Sequence, residues 1–367
     1  MPITKLLIAN RGEIAIRLAR AAAELDIPSV AVYAEDDAAS LHRHKADRAI
    51  ALKGRGASAY LDASQLLRIA YEEGCDAIHP GYGFLSENAA FAAQCEDAGI
   101  RFVGPSATVL ERFGDKASAR ALALELGIPL VQGTNEPTSL EQAHAFMQQL
   151  GPGAAVMLKA LAGGGGRGMR AVLDPAELDQ AYARCQSEAK AAFGSDALYI
   201  ERLIRRARHI EVQIIGDGRE VAHVWERDCT LQRRNQKLLE IAPAPGLDPA
   251  LREQLLQAAL KLTGAVGYRG LCTVEFLLDE DSGDFVFMEA NPRIQVEHTV
   301  TEAVTGLDLA QIQLRLAAGA SLAELGLTQD RIPVPRGYAV QLRINLESMA
   351  SDGSARPAGG TLSAYEP

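Results

Sequence analysis

Through its first hundred residues the chain alternates two patterns. Short apolar or β-branched runs at residues 6–9, 29–33, 77–79 and 101–103 have the length and composition of buried strands. Between them, residues 13–25, 61–73 and 88–98 space their apolar positions as helices do. Strands separated by helices predict a parallel, doubly wound α/β sheet over residues 1–106. No Gly-x-Gly-x-x-Gly follows the first strand, so a nicotinamide-binding unit has little support. A helical linker is expected over 107–129, with its helix at 107–126. A small α+β unit follows at 130–203, with helices at 139–150 and 175–188 and strands at 156–159, 170–173 and 197–201. The remainder, 204–367, opens with strands at 209–215 and 220–225 and a helix at 249–264. Later come a helix at 308–318, a strand at 339–345 and a Gly/Ser/Pro-rich tail from 351.

Within that last region, residues 271–278 and 285–289 are two apolar runs joined by a polar segment with Gly283 at its turn. A hairpin turning about Ser282 sets Glu275 opposite Glu289. Facing carboxylates repel, and a hard divalent cation between them removes the penalty. From Glu289 onward polar residues occupy every second position: Glu289, Asn291, Arg293, Gln295 and Glu297. On a continuous strand all five share one face. Pro292 cannot donate to a ladder, so a bulge or strand end is expected there.

At 367 residues the chain can bury a large core in two or three domains. A net charge of −10 disfavours nucleic acid and membrane surfaces as partners. The five cysteines are scattered, with no Cys-x-x-Cys, which points to reduced thiols and a cytoplasmic setting. The apolar start at residues 3–9 is too short for a signal peptide or a membrane span.

Four consecutive glycines, Gly163 to Gly166, lie between Lys159 and Arg167. Such a run is either a plain hairpin tip or a flap whose backbone N–H groups cradle phosphates. Lys116 reads as a phosphate contact or a solvated charge. The polar run 226–237 reads as a solvated loop or as a functional surface at a sheet edge. Glu201, closing a strand, is placed to pair with an adenine amino group. His209 alone reads as structural or functional.

Together these blocks resemble biotin carboxylase, a family of the ATP-grasp superfamily. The resemblance runs through Ile8-Ala-Asn-Arg-Gly-Glu-Ile-Ala15, His79-Pro-Gly-Tyr-Gly-Phe-Leu-Ser-Glu-Asn88, Gly114-Asp-Lys116 and the glycine flap. It continues through Glu226-Arg-Asp-Cys229, Gln232-Arg-Arg-Asn-Gln-Lys237, Arg293-Ile-Gln-Val-Glu-His298 and Leu342-Arg-Ile-Asn345. It implies an ATP-grasp fold with a mobile lid at 130–203 and a C-terminal catalytic domain at 204–367. It further implies that Lys116, Lys159, Gly165, Gly166, Glu201, Ile204, His209, Gln232 and Asn235 bind ATP. Glu275, Glu289 and Asn291 then hold Mg²⁺ or Mn²⁺. Lys237, Arg293, Gln295 and Val296 bind bicarbonate, Glu297 is the base, Lys237 steadies the phosphorylated intermediate, and Arg343 stabilises the biotin enolate. The implied reaction is carboxylation of biotin through carboxyphosphate. The implied partners are a biotin carboxyl carrier and a carboxyltransferase, in a homodimer or a larger complex.

The sequence departs from the family pattern at Ala162, Asn235, Pro292, Gln341 and Leu346, none of which removes a proposed catalytic charge. These departures suggest a multidomain acyl-CoA carboxylase. Family members continue past the position of Pro367, so an incomplete C-terminal domain with an exposed sheet edge is expected. Two other readings stand: another ATP-grasp carboxylate–amine ligase, or a nucleotide-binding module inactive on its own.

Overall fold

The computed structural model describes residues 2–134, 136–161, 168–233, 235–351, 354–359 and 364. Three larger sheets and one two-stranded sheet organise them. The first holds β1 (Leu6–Ile8), β2 (Ser29–Tyr33), β3 (Arg48–Ala51), β4 (Ala77–His79) and β5 (Arg101–Phe102), all parallel, in the order β3-β2-β1-β4-β5. Leu6 and Ile8 pack with Ile14 and Leu18 of helix Gly12–Ala23. Leu7, Val30, Val32 and Ile78 face the other way, toward Leu66 and Phe91 of helices Ala63–Glu72 and Ala89–Asp97. Burial on both faces is why these strands read as unbroken apolar runs. β3 has no such run; it is a half-exposed edge strand, and periodicity does not reveal it.

Two helices, Ala107–Gly114 and Lys116–Glu125, form the connection, with Asp115 capping the second. A small antiparallel sheet follows: β6 (Val156–Ala160), β7 (Met169–Val172) and β8 (Leu198–Arg202), in the order β7-β6-β8. Helices Leu140–Gln149 and Leu178–Phe193 cover it. The helix expected at 175–188 begins instead as a short 3₁₀ turn, Pro175–Glu177, and runs on to Phe193, where Gly194 takes a left-handed φ of 76° and ends it.

The third sheet carries the site. It is antiparallel, with β9 (Ala207–Asp217), β10 (Val221–Arg233), β11 (Gln236–Ala242), β12 (Arg269–Asp279), β13 (Phe285–Asn291) and β14 (Ala339–Leu342) in the order β13-β12-β9-β10-β11-β14. One face is apolar: Ile210, Val212, Val274 and Phe276 pack on Leu255, Leu256 and Leu262 of helix Pro249–Gly264. The other face is polar. β14 is an edge strand with Val340 and Leu342 exposed. Beyond it lies a small hairpin, β15 (Glu347–Met349) with β16 (Ala355–Pro357).

One expectation changes here, and the strand end expected at Pro292 is found. The polar run 226–237 is neither a loop nor a sheet edge: most of it belongs to β10, between β9 and β11. Its charges are accommodated because neighbouring strands supply opposite charges. The five alternating polar residues do not share one strand, because β13 stops at Asn291, just before Pro292.

Candidate active site

The β12–β13 hairpin pairs Glu275 with Glu289, as the turn about Ser282 predicts. Near the turn Phe276 pairs with Phe287, so Met288 is an extra residue that bulges β13 and re-aims the strand beyond it. Glu275 in turn pairs with Glu211 of β9, and Glu211 with Arg227 of β10. Three carboxylates and one guanidinium therefore lie in a row across four strands.

Lys237 of β11 reaches back over this row. Its Nζ contacts Glu211, Glu275 at 3.3 Å and Glu297 at 2.8 Å. Arg227, with no exposed surface, donates to Gln213 (2.8 Å), Gln295 (2.7 Å) and Thr301 (3.0 Å), and lies 3.4 Å from Glu211. Gln295 Nε2 and Asn291 Nδ2 both donate to Glu275, at 2.9 and 2.6 Å. His209 stands between Glu275 (2.7 Å) and Gln232 (2.7 Å). Glu297 also meets Arg343 Nη2 at 2.9 Å, while Arg343 Nε is 2.6 Å from Glu240.

Burial raises the cost of each charge, and the pairing decides which form survives. Lys237 is held above its usual range against burial, because Glu275 and Glu297 attract the proton. Glu275 and Glu297 both stay below the usual carboxylate range, despite burial, through Lys237. Glu289 goes the other way: burial and then repulsion from Glu275 raise it. Among the described residues Glu289 has no hydrogen-bond or ion-pair partner. Facing carboxylates, one without a donor and the other held by Lys237, His209 and two amides, fit a hard divalent cation at the unpartnered one. Glu275, Glu289 and Asn291 are the residues that would hold Mg²⁺, whose charge would neutralise phosphate oxygens.

These groups line a cleft of about 750 Å³. Every described site residue named from the sequence lines it: Lys116, Lys159, Glu201, Ile204, His209, Gln232, Asn235, Lys237, Glu275, Glu289, Asn291, Arg293, Gln295, Val296, Glu297 and Arg343. Gly165 and Gly166 lie outside the described residues. The segment after Asn291 returns by a turn rather than a strand and still delivers Arg293, Gln295 and Glu297 to one place. Lys116 opens its helix, and burial lowers its ammonium pKa. Asn235 occupies the β10–β11 turn at φ 61°.

Glu201 is 3% exposed and its carboxylate is ion-paired to Arg120 (2.9 Å) and to Lys159, two partners that the sequence did not reveal. Glu211, Arg227 and Glu240 were missed. The signal for Glu211 was present, since His209, Glu211 and Gln213 alternate on one face of an otherwise apolar strand.

The description "Biotin carboxylase, N-terminal domain" matches residues 2–110. "Carbamoyl-phosphate synthase L chain, ATP binding domain" matches residues 115–325. A solved biotin carboxylase domain of a single-chain bacterial carboxylase is 54% identical, with a TM-score of 0.82, over 94% of this chain and 75% of that one. The chain belongs to the biotin carboxylase family. These biotin carboxylases are ATP-dependent ligases of ATP-grasp fold. Another relative is the biotin carboxylase domain dimer of Hydrogenobacter thermophilus 2-oxoglutarate carboxylase, solved with MgADP, ADP and bicarbonate. It is 43% identical, with a TM-score of 0.89, over 95% of this chain and 76% of that one. Mitochondrial pyruvate carboxylase of Rattus norvegicus is 50% identical over 99% of this chain but 31% of its own length. The chain thus spans about a third of the curated relatives it matches. Among the described residues no helix is long and apolar enough to cross a membrane.

Proposed function

We propose that this biotin carboxylase uses ATP to carboxylate biotin with bicarbonate, and that the named cleft residues carry the reaction. The observation that supports it most is Lys237. One ammonium reaches the proposed base, Glu297, and the proposed metal carboxylate, Glu275, in the cleft that also holds Arg293. That arrangement supports reading an anion receptor, a base and a cation site side by side.

Bicarbonate is a weak nucleophile, and the γ-phosphate is shielded by its own oxygens. Lys116 and Lys159 lie where they can offset phosphate charge. Arg293 and Gln295 orient the attacking oxygen, which bonds to phosphorus as ADP leaves, giving carboxyphosphate. Glu297 is ionised at rest and receives the bicarbonate proton. Paired with Lys237 and Arg343 it is a weak base. When Lys237 turns to the new anion, Glu297 loses a partner and its proton affinity rises. Carboxyphosphate then splits into CO₂ and phosphate, the phosphate takes the N1 proton of biotin, Arg343 stabilises the enolate oxygen so formed, and N1 bonds to the CO₂.

Biotin would arrive on a carrier domain and leave toward a carboxyltransferase, in a homodimer or larger assembly. Relatives include pyruvate carboxylases and a long-chain acyl-CoA carboxylase, so the final acceptor is assigned to other domains. Five buried free cysteines suit a reducing compartment such as the cytoplasm. The test is ADP release with free biotin: it should require bicarbonate and be lost in Glu297→Gln. Release indifferent to bicarbonate, or driven by an amine acceptor, overturns the assignment.

A further inference from the structure

One partner of the Arg293 guanidinium comes from a distant part of the chain. Arg293 Nε donates to Glu87 Oε1 at 2.5 Å. Its Nη2 donates to Asn291 Oδ1 at 2.9 Å and its Nη1 lies 3.4 Å from Ile294 O. The Asn291 and Ile294 contacts come from Arg293's own segment. Glu87 is 206 positions away, in the parallel-sheet domain.

The backbone that carries Glu87 is fixed on both sides. Ser86 N bonds to Gly83 O and Asn88 N to Leu85 O, at 2.9 and 3.1 Å. The next residue, Asn88, caps helix Ala89–Asp97 by accepting from Phe91 N at 2.8 Å. Upstream, Asn10 Nδ2 holds the carbonyls of Pro80 and Tyr82, at 2.6 and 2.8 Å. Phe84 stacks on Tyr60 with ring centroids 5.0 Å apart. Glu87 is thus a carboxylate on a hydrogen-bonded backbone, joined to the Nε edge of Arg293.

The Glu87 side chain is 41% exposed and that of Arg293 23%. An ion pair this exposed contributes little to folding. Its geometric effect is larger. Arg offers a planar fork; Glu87 holds the Nε edge of Arg293, a residue that lines the cleft, and so sets the plane of its two Nη groups. We propose that Glu87 is a positioning residue for Arg293, through which the N-terminal domain sets bicarbonate affinity. This rests on the bicarbonate role given to Arg293 above.

The test is steady-state ADP release by the complete polypeptide, varying bicarbonate and ATP separately. In Glu87→Gln and Glu87→Ala the KM for bicarbonate should rise roughly tenfold, the size of one charge-assisted hydrogen bond. The KM for ATP should stay within about twofold and the Tm should not move, since the pair is solvent-screened. Glu87→Asp should recover part of the loss. In an Arg293→Lys background, which lacks the fork, Glu87→Gln should add nothing further. An unchanged bicarbonate KM, a parallel rise in both KM values, or an undiminished penalty in the Arg293→Lys background overturns the proposal. A wild-type enzyme whose turnover ignores bicarbonate overturns instead the function on which it rests.

Discussion

Two crevices in this molecule have the position of a ligand site, and they are built in opposite ways. Open α/β sheets usually bind ligands beyond the carboxyl ends of their strands, where the strand order reverses. In the N-terminal sheet that point lies between β1 and β4. It is filled by the chain itself: Asn10 bridges to the Pro80 and Tyr82 carbonyls, and Gly81 sits at φ 65° where a Cβ would come within 2.9 Å of the Asn10 amide. Arg11 lies over Tyr60 and Phe84 and pairs with Asp37 at 3.0 Å. The polar face of the antiparallel sheet is left unbalanced. Glu211, Glu275, Glu289 and Glu297 gather around Arg227 and Lys237, and Glu289 has no partner among the described residues. The proposed chemistry follows the unbalanced charge rather than the fold's customary crevice, and the crest of the first sheet carries Tyr82, Gly83 and Glu87 to the cleft and to Arg293.

The sharpest way to break this contrast is to remove the base. Glu297→Gln keeps the shape of the side chain but cannot accept the proton. Bicarbonate-dependent ADP release should fall by roughly 10²–10⁴. A variant retaining a tenth of the rate would move the base elsewhere. The next effect concerns stability. Arg227→Met removes a fully buried cation, takes the donor from Gln213, Gln295 and Thr301 and leaves Glu211 to Lys237 and His209, at a cost of roughly 3–5 kcal/mol in urea unfolding. Arg11→Met at the crest loses one exposed pair and two ring contacts, at about 1 kcal/mol. Equal losses would erase the distinction between an over-determined charged core and a locally satisfied crest.

Much of this contrast is legible in the sequence, and the illegible part has a physical cause. β2, β4 and the helix Pro249–Gly264 match the periodicity of their own residues, because each buries a face that its pattern marks. The pairing of Glu275 with Glu289 was expected from hairpin length, although the structure reaches it through the bulge at Met288. β10 was unreadable, since a run of charges signals solvent unless the strand partners are known; its Arg227 is buried only because Glu211, Gln213 and Gln295 come from elsewhere. Helix His298–Thr305 is rich in Thr and Val, poor helix formers, and is set by its packing. The resemblance located the cleft, but it did not assign Glu201 to Arg120 and Lys159.

Acid sorts the two regions by a smaller effect. His79, fully buried at the crest, is pushed down by burial to about 3 from 6.5. The unfolded chain therefore takes up that proton first. Stability is complete above pH 6.5 and falls as the pH drops toward 3, by at most about 1.4 kcal/mol per pH unit. Burial also lowers His223 and His298, which add to the slope. Glu275 and Glu297, held low, contribute only below the ordinary carboxylate value of 4.5. Urea unfolding between about pH 6 and 5 should show a slope that His79→Gln flattens. A loss confined to lower pH would assign acid sensitivity to the carboxylate row instead.

The smallest effect is the most diagnostic, because its sign reverses between folding and function. Glu289 faces Glu275 across the hairpin and is raised by burial and by that repulsion. Glu289→Gln removes the repulsion and keeps the side-chain volume. The ligand-free protein should become more stable, by up to about 1 kcal/mol. The same change removes half of the carboxylate pair proposed to hold Mg²⁺, so MgADP should bind more weakly while ADP without the metal binds as before. Thermal unfolding and calorimetric titration on one preparation read both signs. If Glu289→Gln lowers the Tm, the facing carboxylates are not in conflict at rest; if MgADP affinity is unchanged, the pair is structural and the unbalanced face has another purpose.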